Sequence, residues 1–317
     1  MGRVGRVAVA AFLVTASATG CRQSAPGPER REPPASASGP AHGLARLTAG
    51  RRLVFNEEFD RLRLGVGRRW GWRSGSYADC VGNPNGFKLD ALTPAALAVG
   101  GGALRVTAAP LPDGRWSTGL LTTGDSCDSG GRGFTVRAGD VVVARARLPE
   151  AGTGAWPAIW TWRDGGNEVD VFEWHADRPG TLEFVNHVRG GYRYWESPMV
   201  RAGAWLYFAV DIRRHRTTWY VGTAPETMRV AHSDRRGVGR RFRAHLVISL
   251  SADDGRLHTR PDGEERLTFA VDYLRVHRRA AGGNAPGAPD MRRSLSRYVA
   301  KPARRKAPVR PHDGNGR

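Results

Sequence analysis

Three carboxylates crowd into six residues at Glu168-Val169-Asp170-Val171-Phe172-Glu173. The residues between them are strand formers, whereas Asp and Glu are poor ones that repel each other, so the arrangement is unfavourable unless water or a bound molecule meets the charges. Side chains alternate along a regular strand, which puts Glu168 and Asp170 on one face and Val169 and Val171 on the other. Glu173 would then turn inward with the valines. A β-bulge at Val171-Phe172 returns it to the carboxylate face, and bulges are common where a side chain must be re-aimed beside an active site. With one residue absorbed, the Glu168 and Glu173 backbones lie roughly 13 Å apart at about 3.3 Å per strand step. Two inclined Glu side chains close that gap to roughly 5–5.5 Å, the separation at which one carboxylate attacks an acetal carbon while the other protonates the leaving oxygen. Crowding also raises the proton affinity of at least one carboxyl, and the three titrate as a coupled set. The competing reading is an acidic surface strand that binds a cation or only water.

The elements that must position this strand are strands themselves. Short apolar runs with a period near two recur at Leu104–Ala108, Val141–Leu148, Leu206–Ile212, Leu246–Leu250 and Leu267–Val276, punctuated by Gly, Asp, Pro and Asn. No stretch of about twelve residues holds an amphipathic helical period, so the βαβ alternation of a parallel-sheet enzyme is absent and an all-β antiparallel sandwich or barrel remains. A chain of 317 residues with 40% hydrophobic content can bury one substantial core, which we place at residues 51–279.

The flanks have a different character. Arg3 and Arg6, the apolar run Val7–Val14 and the small residues up to Cys21 have the three-part form of an export signal over residues 1–21. Ala18-Thr19-Gly20-Cys21 is similar to a bacterial lipobox, which makes Cys21 a lipid-anchor candidate and places the protein outside the cell or on its surface. Residues 22–50, rich in Ala, Pro, Ser and Gly, form a disordered tether, and residues 280–317 a disordered basic tail. The net charge of +19 suggests a polyanionic partner, but residues 1–49 carry +4 and 280–317 carry +7, leaving +8 for the long middle segment. The tail has Tyr298 as its one aromatic, so we expect no nucleic acid partner. With Cys21 lipidated, Cys80 and Cys127 remain as an even pair in an oxidising compartment, where a disulfide is the default; neither has a ligand-spaced Cys or His that would suggest a metal.

The block Gly154-Ala-Trp-Pro-Ala-Ile-Trp160 followed by Glu168-Val-Asp-Val-Phe-Glu173 resembles glycoside hydrolase family 16, whose members include laminarinases, lichenases and agarases. Leu53-Val-Phe-Asn-Glu-Glu-Phe-Asp60, Ala144-Arg-Ala-Arg-Leu-Pro149 and Val271-Asp-Tyr-Leu-Arg-Val276 support the resemblance, which covers about residues 52–278. It implies a concanavalin-like jelly roll with a concave cleft, with Glu168 as nucleophile, Asp170 as its assisting carboxylate and Glu173 as acid/base. The bulged spacing looks like the laminarinase and agarase side of the family. No cofactor is expected, although many members carry a structural calcium between the first and last strands, where Asp272 and the Glu58–Asp60 region fall.

Aromatic faces stack on pyranose rings, so the sugar-binding candidates are Trp156, Trp160 and Trp162, which share one period-two face, and Trp174 beyond Glu173. Trp156 and Trp160 are favoured by their place in the resemblance, and one or two of the four should be core residues. His187 in Glu183-Phe-Val-Asn-His187 looks like a family histidine able to orient the carboxylates, the alternative being a buried structural histidine; Arg163 and Trp195 are weaker candidates. Two departures bear on specificity. Ser249-Leu-Ser-Ala-Asp-Asp-Gly255 lacks the Gly-Gly-x-Trp-like motif of many β-1,3-glucanases, and Trp205 replaces a frequent histidine. The resemblance therefore implies a monomeric, retaining endo-β-glycanase acting on a polysaccharide, with β-1,3-glucan or β-1,3-1,4-glucan the first expectation. A β-galactan hydrolase of the agar or carrageenan type, a transglycosylase and a catalytically silent carbohydrate-binding sandwich are the alternatives.

Overall fold

The computed structural model describes residues 43–83, 86–163, 166–263 and 265–279; the export segment with Cys21, most of the tether and the basic tail lie outside the described residues. Among the described residues sixteen strands form, beginning with β1 (Arg51–Glu57), β2 (Asp90–Leu92), β3 (Leu97–Gly100), β4 (Ala103–Pro110), β5 (Trp116–Thr122), β6 (Val136–Arg137), β7 (Asp140–Arg147) and β8 (Ala155–Trp162). They continue as β9 (Val169–Trp174), β10 (Thr181–Val185), β11 (Tyr192–Glu196), β12 (Trp205–Ile212), β13 (Thr217–Gly222), β14 (Arg229–Asp234), β15 (Arg243–Ala252) and β16 (Leu267–Arg279). The period-two runs read from the sequence fall on these strands, with Leu148 one residue past the end of β7.

Hydrogen bonding runs along the order β11-β10-β9-β8-β15-β5-β4-β16-β7-β12-β13-β14, with β1 added on β16. The link between β5 and β4 is narrow, Ala109 with Ser117 and Pro110 with Trp116. On either side of it lie an inner sheet, β11 to β5, and an outer sheet, β4 to β14, which close over one core as an antiparallel sandwich. Phe172 of β9 stacks on Phe208 of β12 at 3.9 Å between ring centroids and meets Phe269 of β16 edge-on. Burying each such ring contributes about 1.5–3 kcal/mol. Within the same core the Trp219 indole N–H of β13 donates to the Asp170 carbonyl at 2.7 Å, so the outer sheet pins the strand that carries the carboxylates.

One boundary read from the sequence shifts. The tether was expected to run to residue 50, but a short helix, α1 (Leu44–Thr48), precedes β1. Its Leu44 is buried with Val141, Val143, Tyr207, Ala209, Met228 and Tyr273 on the far face of the outer sheet, and Leu47 packs beside it. An apolar pair three residues apart thus supplies enough burial to order the end of the tether. The carboxylates proposed for calcium are engaged with cations of the protein: Asp272 pairs with Arg145 at 3.0 Å, and Arg275 grips Glu58 with two bonds of 2.7 and 2.8 Å. These guanidinium partners make a poor donor set for a hard, oxygen-seeking ion, so we propose no calcium there. In the Leu53–Asp60 segment the buried carboxylate is Glu57, which accepts bonds from the Phe59 amide and the Trp70 indole, both at 3.1 Å, and thereby fixes the turn after β1.

Cys80 and Cys127 are joined by a disulfide whose Cα atoms are 6.2 Å apart. It ties the loop before β2 to the loop after β5, and that second loop holds Asp125, whose carboxylate accepts the Trp162 indole N–H at 2.7 Å. The bond spans 47 residues, for which chain entropy gives about 4 kcal/mol and typical measured values are about 2–4 kcal/mol. Replacing both cysteines with serine should lower the unfolding free energy by roughly that amount, as read from urea denaturation with m fitted separately for each protein. A loss within experimental error would show that the two loops are held by other contacts.

Candidate active site

The register of β8 against β9 locates the bulge. Ala158 pairs with Glu173 and Ile159 with Phe172, but Trp160 pairs with Asp170, so Val171 is the extra residue. Val171 and Phe172 both enter the core, at 1% and 0% exposure. Directly paired residues of neighbouring strands point the same way, so Asp170 and Glu173 share the open face of the inner sheet with Ala158 and Trp160. Glu168 lies one residue before β9, and its carbonyl accepts the His187 amide at 3.1 Å. The two even steps and the bulge thus bring all three carboxylates to one side of a strand whose other side is core.

The side chains form a connected set. His187 Nε2 lies 3.4 Å from Asp170 Oδ2 and 3.9 Å from Glu168 Oε1. The Trp156 indole N–H donates to Glu173 Oε1 at 3.1 Å. Burial pushes all three carboxyls above their ordinary values, Asp170 furthest, with the neighbouring Glu173 adding to its shift. Opposing this for Glu168 are His187 and Lys88, and for Glu173 chiefly Lys88 and the Trp156 bond. The site can therefore hold a protonated carboxyl beside an ionised one, the pairing required for acid catalysis next to a nucleophile.

His187 is raised as well, but by its partner and against the effect of burial. The Asp170 carboxylate it faces is the main reason it is pushed up to about 9. A raised value means that folding favours the imidazolium, so its contribution to stability is complete below its ordinary pKa of about 6.5 and is lost as pH rises through the folded value. An NMR titration of the His187 ring should show a midpoint near 9, falling toward the ordinary value in Asp170→Asn. An ordinary midpoint in the unmodified protein would remove the ion pair from the site.

The tryptophans divide. Trp156, Trp160 and Trp162 lie on the open face, opposite Ser251, Val247 and His245 of β15. Trp156 is half-buried; Trp160 is 6% exposed, with its indole N–H on Ser249 Oγ at 3.1 Å, and forms part of the floor. Trp174 was a sugar-binding candidate, but it is fully buried in the core and donates to the Pro179 carbonyl at 3.2 Å. It follows Glu173 directly, so strand alternation turns it away from the carboxylate face. Trp195 pairs with Leu182 and packs near Phe184 on the core side, and Trp205 lies on the outer sheet beneath the Arg145 guanidinium. Arg163 is exposed at the end of β8.

Several residues of the site had not been singled out. The Lys88 ammonium lies 4.6, 5.4 and 5.8 Å from the ring centroids of Trp156, Tyr77 and Trp160, close enough for cation–π attraction. Lys88 is one of only three lysines in an arginine-rich chain, which was the available signal. Tyr77 is held over this floor by its bond to buried Asp90 at 2.6 Å, and Asp90 also accepts the Ala252 amide at 2.9 Å. Glu183 is the cross-strand neighbour of Glu173 on β10 and is pushed up to about 7 by burial and then by Glu173.

No family model matches the chain, and no curated protein matches it by sequence. The structure is similar to the endo-β-1,3-glucanase of Pyrococcus furiosus, with a TM-score of 0.58 and 20% identity over 73% of this chain and 96% of that one. It is similar also to the laminarinase catalytic domain of Thermotoga maritima, with a TM-score of 0.56 and 20% identity over 72% of this chain and 98% of that one. A third likeness is to a non-specific endo-β-1,3(4)-glucanase of glycoside hydrolase family 16, with a TM-score of 0.54 and 20% identity over 73% and 92% of the two chains. At this identity the likeness establishes a shared fold, the jelly-roll sandwich of these glucanases.

Proposed function

We propose that this protein is a retaining endo-β-glycanase, with β-1,3-glucan or mixed β-1,3-1,4-glucan as its first substrate class. The observation that carries the reading is the bulge at Val171, which returns Glu173 to the face of Glu168 and Asp170. Glu168 attacks the anomeric carbon while the Glu173 carboxyl gives its proton to the glycosidic oxygen; the C–O bond breaks and the sugar is esterified to Glu168. The Glu173 carboxylate then takes a proton from water, whose oxygen attacks the same carbon and frees Glu168. Asp170 and His187 orient Glu168, the Trp156 indole N–H holds Glu173, and Trp156 with the rim of Trp162 offers stacking surface for sugar rings. A β-galactan remains the second substrate class, consistent with the basic middle segment. The export signal and the lipid anchor at Cys21 complete the proposal as a cell-surface enzyme.

Product analysis on laminarin, lichenan, agarose and carrageenan tests the reading. Oligosaccharides of intermediate length from laminarin or lichenan support it, and products from a galactan alone move it to the second class. Absence of both hydrolysis and transfer on every β-glycan defeats it.

A further inference from the structure

Beside the acid/base carboxylate lies a second cluster that the proposed hydrolysis does not use. His175 is 4% exposed, and neither of its ring nitrogens has a hydrogen-bond partner. A buried imidazole with both nitrogens unmet is unfavourable, which calls for a ligand. Its Nε2 lies 3.8 Å from Glu183 Oε2, too far for a hydrogen bond. His258 arrives from the loop after β15, and its Nδ1 lies 3.0 Å from Asp177 Oδ1. With that carboxylate accepting the Nδ1 proton, His258 keeps Nε2 as a free lone pair, the arrangement in which metal-binding histidines are commonly held.

We propose that His175, Glu183 and His258 form a site for a divalent transition metal, zinc by preference, at the edge of the cleft next to Glu173. One ligand atom from each of the three lies within 4.8 Å of the others. Zinc bonds of about 2.1 Å in a tetrahedron set ligand atoms about 3.4 Å apart, so closing the site requires movements of an ångström or so. The two imidazoles are stacked at 3.4 Å between centroids and 11° between planes, and lone pairs lie in the ring planes. His258, on its loop, must therefore turn to share an ion with His175, which stays fixed against the Trp156 ring at 4.9 Å. Two nitrogens and one carboxylate oxygen suit zinc better than calcium or magnesium, and three protein ligands leave one position open to water or a sugar hydroxyl. Glu183 is paired with Glu173 across β9 and β10, which places the ion one cross-strand neighbour from the acid/base carboxylate.

The test is calorimetric titration of the tag-free full chain with zinc chloride at neutral pH, together with visible spectra of the cobalt(II) form. The expected result is one ion per chain and a four-coordinate cobalt spectrum, both unchanged in Glu168→Gln, so that the outcome does not depend on catalysis. Glu183→Gln and His258→Ala should each weaken binding by about 100-fold or more, and Asp177→Asn by about 10–100-fold. Glu183→Gln and Asp177→Asn preserve shape and keep the test valid if His258→Ala fails to fold. The proposal is overturned by absence of saturable binding, by binding that survives Glu183→Gln, or by binding lost in His187→Ala, which would put the ion on the carboxylates instead.

Discussion

Glu168→Gln is expected to lower kcat on the responsive β-glycan by at least about 10³-fold, with KM changed little. Gln keeps the shape of the side chain and its approach to His187 but cannot form the ester through which the retaining reaction passes. The structure also says what should happen to stability. Burial raises the Glu168 carboxyl above its ordinary value. The ionised form is thus the unfavourable one in the folded state, and stability contributed by the protonated form is lost as pH rises. A neutral isostere therefore should not lower the thermal transition at neutral pH. Activity lost together with a large fall in Tm would mean that Glu168 is structural, and full activity would remove it from the mechanism. Azide offers a chemical check in Glu168→Ala, where the truncated side chain leaves room for a small nucleophile that should yield a glycosyl azide of inverted configuration.

Glu173→Gln should act on different steps. Loss of general acid/base catalysis costs about 10²–10⁴-fold on a polysaccharide, whose leaving alcohol needs the proton. An aryl β-glycoside with an acidic phenol needs little protonation, so its first step should survive, with a burst of phenol followed by slow turnover. Azide should then speed the second step and give a product of retained configuration, opposite to that from Glu168→Ala. The Trp156 indole N–H, which donates to Glu173 Oε1 at 3.1 Å, can donate equally well to the Gln carbonyl, so the local structure should persist. Equal losses on aryl glycosides and polysaccharides would contradict the acid/base assignment.

Much of this geometry was legible because strand alternation is a strict rule. Three carboxylates at Glu168, Asp170 and Glu173 cannot share a face of a regular strand, so the need for a bulge was present in the spacing, and the extra residue is Val171. The same rule could have settled Trp174, which directly follows Glu173 and must face the core; aromatic identity suggested a sugar contact where parity gave the answer. Leu44 and Leu47 were hidden in a Pro/Ala-rich composition, since one buried pair carries little periodic signal. Lys88 and Tyr77 reach the floor from a long loop and Asp90 from the start of β2, and His175, Glu183 and His258 come from three segments. No local pattern reports such meetings, because tertiary packing alone creates them. The guanidinium partners of the calcium candidates were hidden for a related reason, as Arg145 and Arg275 lie far in sequence from Asp272 and Glu58, the carboxylates they neutralise.

The central claim is that Glu168 and Glu173 act from one face in a double displacement. Proton NMR of the reducing end newly formed from the responsive β-glycan tests it most directly, before mutarotation scrambles the anomers. The account predicts that the β-anomer appears first and the α-anomer grows in later. The α-anomer appearing first would contradict it.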